Sequence, residues 1–413
     1  MVPQQPCDAA RVGAQIVVRI LHVIPYIHPS AGGPPVVVEN FVRETGRLGH
    51  LSEIISTPLF CNGDAAPLLR QWSELAPISL LPTVSNFAPW STSASRKIHE
   101  SVESADIIHV HTLWNPMNGM VRVACARHGR PYVLMPHGML DPYSLSVKRW
   151  RKALHLSVIE RRNIFGARRL IFTTAEEARL ASVNSCSQKG VVIPLGGDIP
   201  RWNVQELTSN FLDQFPMARG RRQLLFLGRL HFKKGLDRIL TALPTIVRVL
   251  PDVLLTVVGD GTQEFEAAIR STIAARGLES SVIMTGRLDG AAKWGAYGSA
   301  KLFLLPSRQE NFAITVAEAM QMGVPVVISN RVNTWPYVKA ASAGIVVDEE
   351  RIERVLADNI LMLLQNSQAL ELMGKRGQEY ARINLTWARA AAELLKCYEA
   401  VLGDFGRFCG RNG

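Results

Sequence analysis

The segment 304–328, LLPSRQENFAITVAEAMQMGVPVVI, limits what this chain can fold into more than any other. Its pattern predicts a strand that ends at Leu305, then a loop, a helix and a second apolar strand at 324–328. Pro306 and Ser307 end the first strand, and alternating strands and helices are typical of α/β proteins. The loop therefore falls at the carboxyl end of a strand, where α/β sheets bind ligands.

Two carboxylates lie in this segment, Glu310 in the loop and Glu318 in the helix. Glu318 lies about two helical turns beyond the loop. Both acids can face one crevice, and the helix N-terminus there would favour a bound anion. Acids near apolar runs are mostly ordinary surface residues, so the pair alone does not establish a site.

The same alternation of strands and helices runs through the rest of the chain. At 413 residues, the length favours two domains, each with its own core. We predict an α/β fold with two Rossmann-like doubly wound domains facing a cleft. The expected divisions are a loose extension 1–15, an N-terminal domain 16–195, a linker 196–222, a C-terminal domain 223–383 and a last helix 384–402.

Composition narrows the class of protein and its partners. Apolar residues make up 47% and charged residues 20%, an ordinary globular mixture, and no apolar run approaches the roughly 20 residues of a membrane span. Six scattered cysteines without metal spacing predict a reducing, cytoplasmic setting. The net charge of +11 indicates acidic partners such as phosphates, nucleic acid or anionic lipid, or else a basic surface that keeps the protein in solution.

One basic stretch, from Lys148 to Arg169, has an amphipathic pattern. It predicts a helix that either lies on an anionic membrane surface or packs on the core with a solvated basic face. The first alternative would make the protein peripheral to the membrane. No basic-aromatic repeat or recognition module supports a nucleic-acid partner.

Several turns of the first domain fall at predicted strand ends. Gly32 and Gly33 follow the first strand and can form a tight turn before a helix. His109 and His111 share one face of a strand, but the sequence supplies no further zinc ligand nearby. His111 and Trp114 either pack or line an acceptor site. His137 begins a His-Gly turn after another strand.

The second domain opens with a strand and a basic loop, GRLHFKKG. Gly228 permits the turn, and Arg229 and Lys234 suit a phosphate, although such residues also form plain solvated patches. Gly259 and Gly261 form a Gly-x-Gly turn, but the third glycine of the dinucleotide fingerprint is absent. The sequence therefore argues against an NAD-type site.

The acids and the basic loop together match a known pattern. E-N-F-A-I-T-V-A-E, with G-R-x4-K-G opening the second domain, resembles the retaining GT-B glycosyltransferases of family four. The resemblance extends from about residue 16 to 402 and includes a terminal helix that crosses back onto the first domain. Two positions depart from it. Ala313 stands where glycine is frequent but still allows close backbone approach, and Gly196–Gly197 replaces Asn-Gly at the hinge.

The resemblance implies a role for each matching residue. Glu310, with the amides of Asn311 and Phe312, would bind the donor sugar, and Glu318 the ribose. Arg229 and Lys234 would hold the diphosphate and stabilise the charge on the leaving group, with Gly32, Gly33, Gly228 and Gly259 near the donor. His137 would lie at the reacting face of the sugar. No D-x-D motif is present, so we expect no metal and no cofactor.

The expected activity is transfer of a hexose, with retention, from a nucleotide-diphosphate sugar to a glycan or lipid-linked glycan, in cell-surface polysaccharide synthesis. A nucleotide-sugar epimerase or a phosphorylase can use the same architecture. A nucleotide-binding protein without enzymatic activity is a further alternative, suggested by charge alone.

Overall fold

The computed structural model describes residues 17–59, 61, 65–82, 91–146, 150, 152, 155, 159–181, 189–197 and 203–409. Several expectations lie outside this part of the chain. They are the extension 1–15, the start of the first strand at Ile16, residues 198–202 of the linker, and Lys148, Arg149 and Arg151 of the basic stretch.

The first domain is built on a seven-stranded parallel sheet in the order β3-β2-β1-β4-β5-β6-β7. Its strands are short and rich in Ile, Val and Leu, because both faces are covered by helices. They are β1 (Arg19–Val23), β2 (Leu51–Ser56), β3 (Ile78–Leu80), β4 (Ile107–His111), β5 (Tyr132–Met135), β6 (Arg169–Phe172) and β7 (Gly190–Val192). The helices are α1 (Gly33–Arg47), α2 (Ala66–Ser73), α3 (Thr92–Ser104), α4 (Pro116–His128), α5 (Pro142–Ser146), α6 (Arg161–Gly166) and α7 (Ala175–Ala181).

The second domain has a six-stranded parallel sheet in the order β10-β9-β8-β11-β12-β13. Its strands are β8 (Arg222–Leu227), β9 (Val253–Val258), β10 (Val282–Gly286), β11 (Ala300–Leu305), β12 (Val326–Ser329) and β13 (Gly344–Val347). The helices are α8 (Val204–Gln214), α9 (Leu236–Val249), α10 (Gln263–Ala275), α11 (Gly290–Ser299), α12 (Ile314–Gln321), α13 (Trp335–Ala341), α14 (Ile352–Gln365) and α15 (Ser367–Asn384). Both sheets have the doubly wound order, which confirms the predicted fold class.

The last helix, α16 (Trp387–Cys409), packs on the first domain. Trp387 meets Phe41 of α1 edge to face with ring centroids 6.0 Å apart, and Tyr398 hydrogen-bonds His109 of β4 at 2.7 Å. The helix continues past residue 402, where the sequence predicted its end. Its next turn still contacts the first domain, because the Arg168 guanidinium lies over the Phe405 ring, 4.8 Å from the centroid.

The double glycine at 196–197 lies where the first domain ends. A Cβ on Gly196 would collide with the backbone nitrogen of Trp387, and one on Gly197 would lie 2.6 Å from the backbone nitrogen of Glu318. Both glycines are therefore required by close backbone packing, in addition to any freedom they give the linker.

Candidate functional site

The two sheets change winding direction at β1/β4 and at β8/β11, which places a crevice at the carboxyl ends of these strands. Contacts between the domains cross this crevice. Asn311 Nδ2, in the loop after β11, donates to Thr173 Oγ1 of the first domain at 3.1 Å. Lys233 Nζ lies over the Tyr143 ring, 4.6 Å from its centroid. The loops that carry the sequence candidates therefore face each other.

Glu310 and Lys234, two candidates 76 positions apart, form an ion pair through Oε2 and Nζ. The contact joins the loops that follow β8 and β11, which are neighbouring strands. Both side chains are about one-fifth exposed, so a ligand can reach them. The pair holds a cation and a carboxylate side by side at the edge of the sheet.

Arg229 projects from the same loop and is exposed. Among the described residues it has no hydrogen bond and no ion pair, which leaves the whole guanidinium available to an anion. Tyr26 lies in the loop after β1, and burial raises its pKa to about 12. The positive charge of Arg229 acts in the opposite direction and lowers the pKa of Tyr26. The arginine thus lies close to the first domain.

Glu318 is buried on α12 and is held from two sides. Lys293 Nζ donates to its Oε1 at 2.7 Å, and the Tyr297 hydroxyl donates to Oε2 at 2.9 Å. Each carboxylate oxygen can accept a second hydrogen bond, so a diol can still bind. Lys293 and Tyr297 could not be identified from the sequence, because they lie on α11, where no motif marks them.

The glycines of the second domain pack against one another. Gly228 has φ 154° and Gly259 has φ 140°, and a Cβ on Gly259 would collide with the Gly228 carbonyl. A Cβ on Gly261 would lie 2.7 Å from the Leu230 carbonyl oxygen. These glycines let the loops after β8 and β9 approach each other closely. Packing alone therefore requires glycine at position 259, whether or not this residue contacts a ligand.

Of the first-domain glycines 32 and 33, only Gly32 has a positive φ, of 100°. Gly33 already belongs to α1, so the turn needs one glycine and not two. Pro34 lies in the first turn of the helix, where its missing N–H costs no intrahelical hydrogen bond. Among the described residues, no hydrogen bond joins Gly32 or Gly33 to Glu310 or Lys234.

His137 lies in a turn with left-handed backbone, φ 53°, followed by Gly138 at φ 75°. Its Nε2 is 3.1 Å from His111 Nδ1, and His111 Nε2 is 3.1 Å from His22 Nδ1. Burial lowers the pKa of His137 and of His22 to about 3 and the pKa of His111 well below its usual value. Neutral imidazole has one N–H, so the two contacts couple the tautomers of all three rings.

His109 completes a cluster of four histidines. Its ring stacks on His111 with centroids 4.0 Å apart, and its Nδ1 contacts Tyr398. Within the described residues, His22, His109 and His111 place one ring nitrogen each within 4.8 Å of the others, which is close enough for a metal. The third ring, His22 of β1, supplies the further nitrogen that could not be found near His109 and His111 in the sequence. Its 3.1 Å contact with His111 fits hydrogen-bonded neutral rings.

The loop around Asn311 is closely packed. Phe312 is buried with its ring 6.4 Å from that of Tyr337, so only its backbone can serve the site. Ala313 precedes α12 with left-handed backbone, φ 56° and ψ 71°. Ala313 does allow close backbone approach, but its left-handed conformation costs an L-residue roughly 1–2 kcal/mol, which glycine would avoid.

Part of the basic stretch 148–169 belongs to the described chain, at 150, 152, 155 and 159–169. Arg161 and Arg162 of α6 are exposed there, and the Trp150 side chain is 83% exposed. Contact with a membrane surface stays a prediction. Among the described residues, no helix is long and apolar enough to cross a membrane.

Comparison with known proteins gives two family matches. Residues 32–196 match the model of the glycosyl transferase 4-like domain, and residues 210–380 match that of glycosyl transferases group 1. Solved structures agree in fold. Anabaena HepE with UDP-glucose superposes with TM-score 0.74 at 18% identity, covering 93% of this chain and all of that one. WaaG, a glycosyltransferase of lipopolysaccharide biosynthesis, gives 0.66 at 18% identity over 93% of this chain and 99% of that one.

Two curated relatives are similar in sequence. The GDP-mannose:cellobiosyl-diphosphopolyprenol alpha-mannosyltransferase of Xanthomonas campestris is 24% identical over 390 residues, 93% of this chain and 97% of that protein. The phosphatidyl-myo-inositol mannosyltransferase of Mycobacterium tuberculosis H37Rv is 29% identical over 232 residues, 55% of this chain and 58% of that protein.

Proposed function

Because the chain belongs to the group 1 glycosyltransferases of family four, a retaining GT-B family, we propose that it moves a hexose from a nucleotide-diphosphate sugar to a lipid-linked or other glycan acceptor in cell-surface polysaccharide synthesis. The observation that carries this is the ion pair of Lys234 with Glu310, which lies across the crevice from the His137 turn. A sugar between them would meet a carboxylate on one side and a neutral imidazole on the other.

The second domain binds the donor. Arg229 and Lys234 neutralise the diphosphate, and stabilising its growing negative charge is the main electrostatic contribution to catalysis. When the diphosphate takes up Lys234, Glu310 is freed to accept hydrogen bonds from sugar hydroxyls, as carboxylates do. Glu318, held by Lys293, binds the ribose diol.

The bond between the anomeric carbon and the phosphate oxygen breaks, and the acceptor oxygen attacks the same face. The acceptor proton passes to the leaving phosphate, so no protein nucleophile takes part. His137 binds the sugar through its accessible edge and its backbone carbonyl. Its low pKa keeps the ring uncharged beside the reacting carbon.

The relatives suggest which donor and acceptor to test first. Both are mannosyltransferases by name, one of them using GDP-mannose, and their names give a diphosphopolyprenol and a phosphatidylinositol as acceptors. A lipid-linked acceptor suits a basic protein at an anionic membrane surface. We take GDP-mannose with a polyprenyl-diphosphate glycan as the leading pair and UDP-glucose as the second donor.

The test is a donor screen with GDP-mannose, UDP-glucose and ADP-glucose, followed by product analysis. We expect one donor to be consumed in an acceptor-dependent reaction, with an α-linked product from an α-linked donor by NMR. Turnover should persist after chelation of metals. The Lys234→Ala variant should lose this turnover. An acceptor-independent change of the sugar would indicate an epimerase, and a requirement for inorganic phosphate would indicate a phosphorylase.

A further inference from the structure

A buried carboxylate outside the sequence motifs lies between the two halves of the site. Glu177, in the first turn of α7, is fully buried and forms no ion pair with any described residue. Its Oε1 accepts from the Gly138 N–H at 2.6 Å. Its Oε2 accepts from the Thr173 N–H at 2.7 Å and from the Thr173 hydroxyl at 2.7 Å. These three donors replace the water that this acid lost on folding, and the Asn311 side chain lies close enough to lower the pKa of the carboxyl as well, against the rise caused by burial.

A helix cap would account for only part of this arrangement. The Glu177 N–H donates to Thr174 Oγ1 at 2.9 Å, and the sequence T-A-E-E fits a capping box. In a capping box the glutamate side chain returns to its own helix end. Here only Oε2 does so, by accepting from Thr173 just before the helix. Oε1 accepts from the Gly138 N–H, which lies outside α7 and next to His137.

The second link crosses to the other domain. Because the Thr173 hydroxyl donates to Glu177, its oxygen is left to accept, and it accepts from Asn311 Nδ2. The amide orientation of Asn311 is thereby fixed, with Oδ1 buried and without a protein partner among the described residues. That oxygen adjoins Glu310, where the proposed function places the sugar hydroxyls.

Gly138 shows how close the two loops are. A Cβ on Gly138 would lie 2.9 Å from Cβ and Cγ of Asn311, so even a methyl group would separate the domains there. The glycine also has a positive φ, which an L-residue adopts at a cost. The His137–Gly138 turn and the Asn311 loop can keep this contact only while both are held in place.

We propose that Glu177 is a positioning residue that sets both halves of the donor-sugar site, the His137–Gly138 turn directly and the Asn311 amide both by its own proximity and through Thr173. It touches neither substrate nor reacting atoms. The expected effect of Glu177 on catalysis rests on the proposed function. Its effect on the position of the two loops does not, and can be measured without a donor. Thr173 is the hydrogen-bond relay between the domains.

The experiment compares Glu177→Gln with Glu176→Gln, its neighbour on the same helix. Glu176 pairs with Arg179 at 2.5 Å and is the matched control, because its ion pair stays within α7. In Glu177→Gln an amide N–H₂ replaces one acceptor and opposes a backbone N–H. We expect kcat with GDP-mannose to fall by about ten- to a hundredfold, the effect of a misplaced reacting geometry, with unchanged affinity for GDP. Glu176→Gln should keep wild-type kcat.

Thr173 gives a second, milder variant in case Glu177→Gln does not fold. Thr173→Val removes the hydroxyl at nearly constant shape and should lower kcat, and Thr173→Ser should restore it. A helix-cap role alone would lower thermal stability but would not separate kcat from GDP affinity. Equal losses of turnover and GDP affinity in both Glu177→Gln and Thr173→Val would overturn the proposal.

Hydrogen exchange measured by mass spectrometry tests the loops independently of activity. Glu177→Gln should speed exchange in peptides covering 137–140 and 310–313, and Glu176→Gln should not. Unchanged exchange in either peptide would show that Glu177 does not hold both loops. A wild type that neither binds nor turns over any of the screened donors would refute the proposed function, and the exchange pattern would still decide for or against Glu177.

Discussion

The two halves of the site are built from opposite chemistry. The half in the second domain consists of charges: Lys234 with Glu310, and Lys293 with Glu318. The half in the first domain consists of neutral rings, His137, His111 and His22, in hydrogen-bond contact. Of ten histidines in the chain, only His231 belongs to the second domain. The difference indicates that the anionic part of a ligand binds to the second domain and the uncharged part lies against the first.

Acidic groups follow the same division. In the first domain, Glu160 and Glu177 are buried and accept backbone N–H groups, from Trp114 at 2.8 Å and Gly138 at 2.6 Å. Burial raises the pKa of both, that of Glu160 to about 6. These acids hold turns in place. In the second domain, Glu310 and Glu318 pair with lysines and remain within reach of the crevice.

The largest expected effect follows from the neutral half. Burial lowers the pKa of all four clustered histidines in the folded protein. Below about pH 6.5, the ordinary pKa of histidine, the unfolded chain therefore binds more protons than the folded chain, and stability falls as pH decreases. Each ring should lose about 1 kcal/mol between pH 6.5 and 5.5, and the four together about 4 kcal/mol. Denaturant unfolding at these two pH values, with hydrogen exchange to separate the domains, should show a loss in the first domain. It should be smaller than the histidine contribution, because the raised pKa values of Glu160 and Glu177 stabilise the folded state as pH falls.

A variant tests whether the histidines are responsible. His22→Asn should reduce the pH-dependent loss by about 1 kcal/mol, since one of the four rings is removed. If the second domain lost as much stability as the first, or if His22→Asn kept the full pH dependence, the contrast between the halves would be wrong.

The next effect separates the two acids of the charged half. Removing a charge-assisted hydrogen-bond partner costs roughly 1.5–3 kcal/mol, or about ten- to a hundred-and-fiftyfold in a constant. Glu318→Gln should weaken GDP-mannose and GDP alike, because both contain ribose. Glu310→Gln should lower turnover and leave GDP affinity nearly intact, since sugar contacts matter most in the transition state.

Calorimetry with GDP and a turnover assay on both variants decide this prediction. Glu371→Gln is the matched control, because it removes an exposed ion pair with Lys375 on α15 and should leave both constants unchanged. Loss of GDP affinity in Glu310→Gln equal to that in Glu318→Gln would contradict the division of labour between the two acids.

A smaller effect concerns the phosphate clamp. Arg229 has no hydrogen bond or ion pair among the described residues, so Arg229→Ala breaks no contact of these kinds within the described protein. We expect GDP binding to weaken by about 1.5 kcal/mol, roughly tenfold, and guanosine binding to change little. Lys233→Ala is the control, because the Lys233 side chain lies on the Tyr143 ring. Equal losses for GDP and guanosine would indicate damage to the fold.

The fold and several residues of the site could be predicted from the sequence, whereas other residues of the site could not. Strand–helix alternation is local, and Glu310 and Lys234 stand in motifs, so fold and candidates could be found by pattern. His22, Lys293 and Glu177 lie outside any motif and gain their roles through contacts that only folding creates. Glu177 looks like half a capping box in the sequence, and His22 like one more residue of an apolar strand. From the sequence, Ala313 could be judged only by its small side chain, whereas its left-handed backbone conformation determines how it affects stability.

The smallest expected effect concerns backbone strain, which also differs between the two domains. At the crevice the first domain has Thr112, Trp114 and His137 at positive φ, and the second has Ala313. Glycine at 313 would relieve roughly 1–2 kcal/mol of strain, against about 0.5–1 kcal/mol of added chain entropy and about 0.8 kcal/mol for a lost buried methyl. Ala313→Gly should therefore change the free energy of unfolding by less than about 1 kcal/mol. Ala317→Gly, in the helix that follows, has no strain to relieve and should cost about 1–2 kcal/mol. Urea unfolding of both variants measures the difference, and equal costs would mean that the Ala313 backbone is not strained in solution.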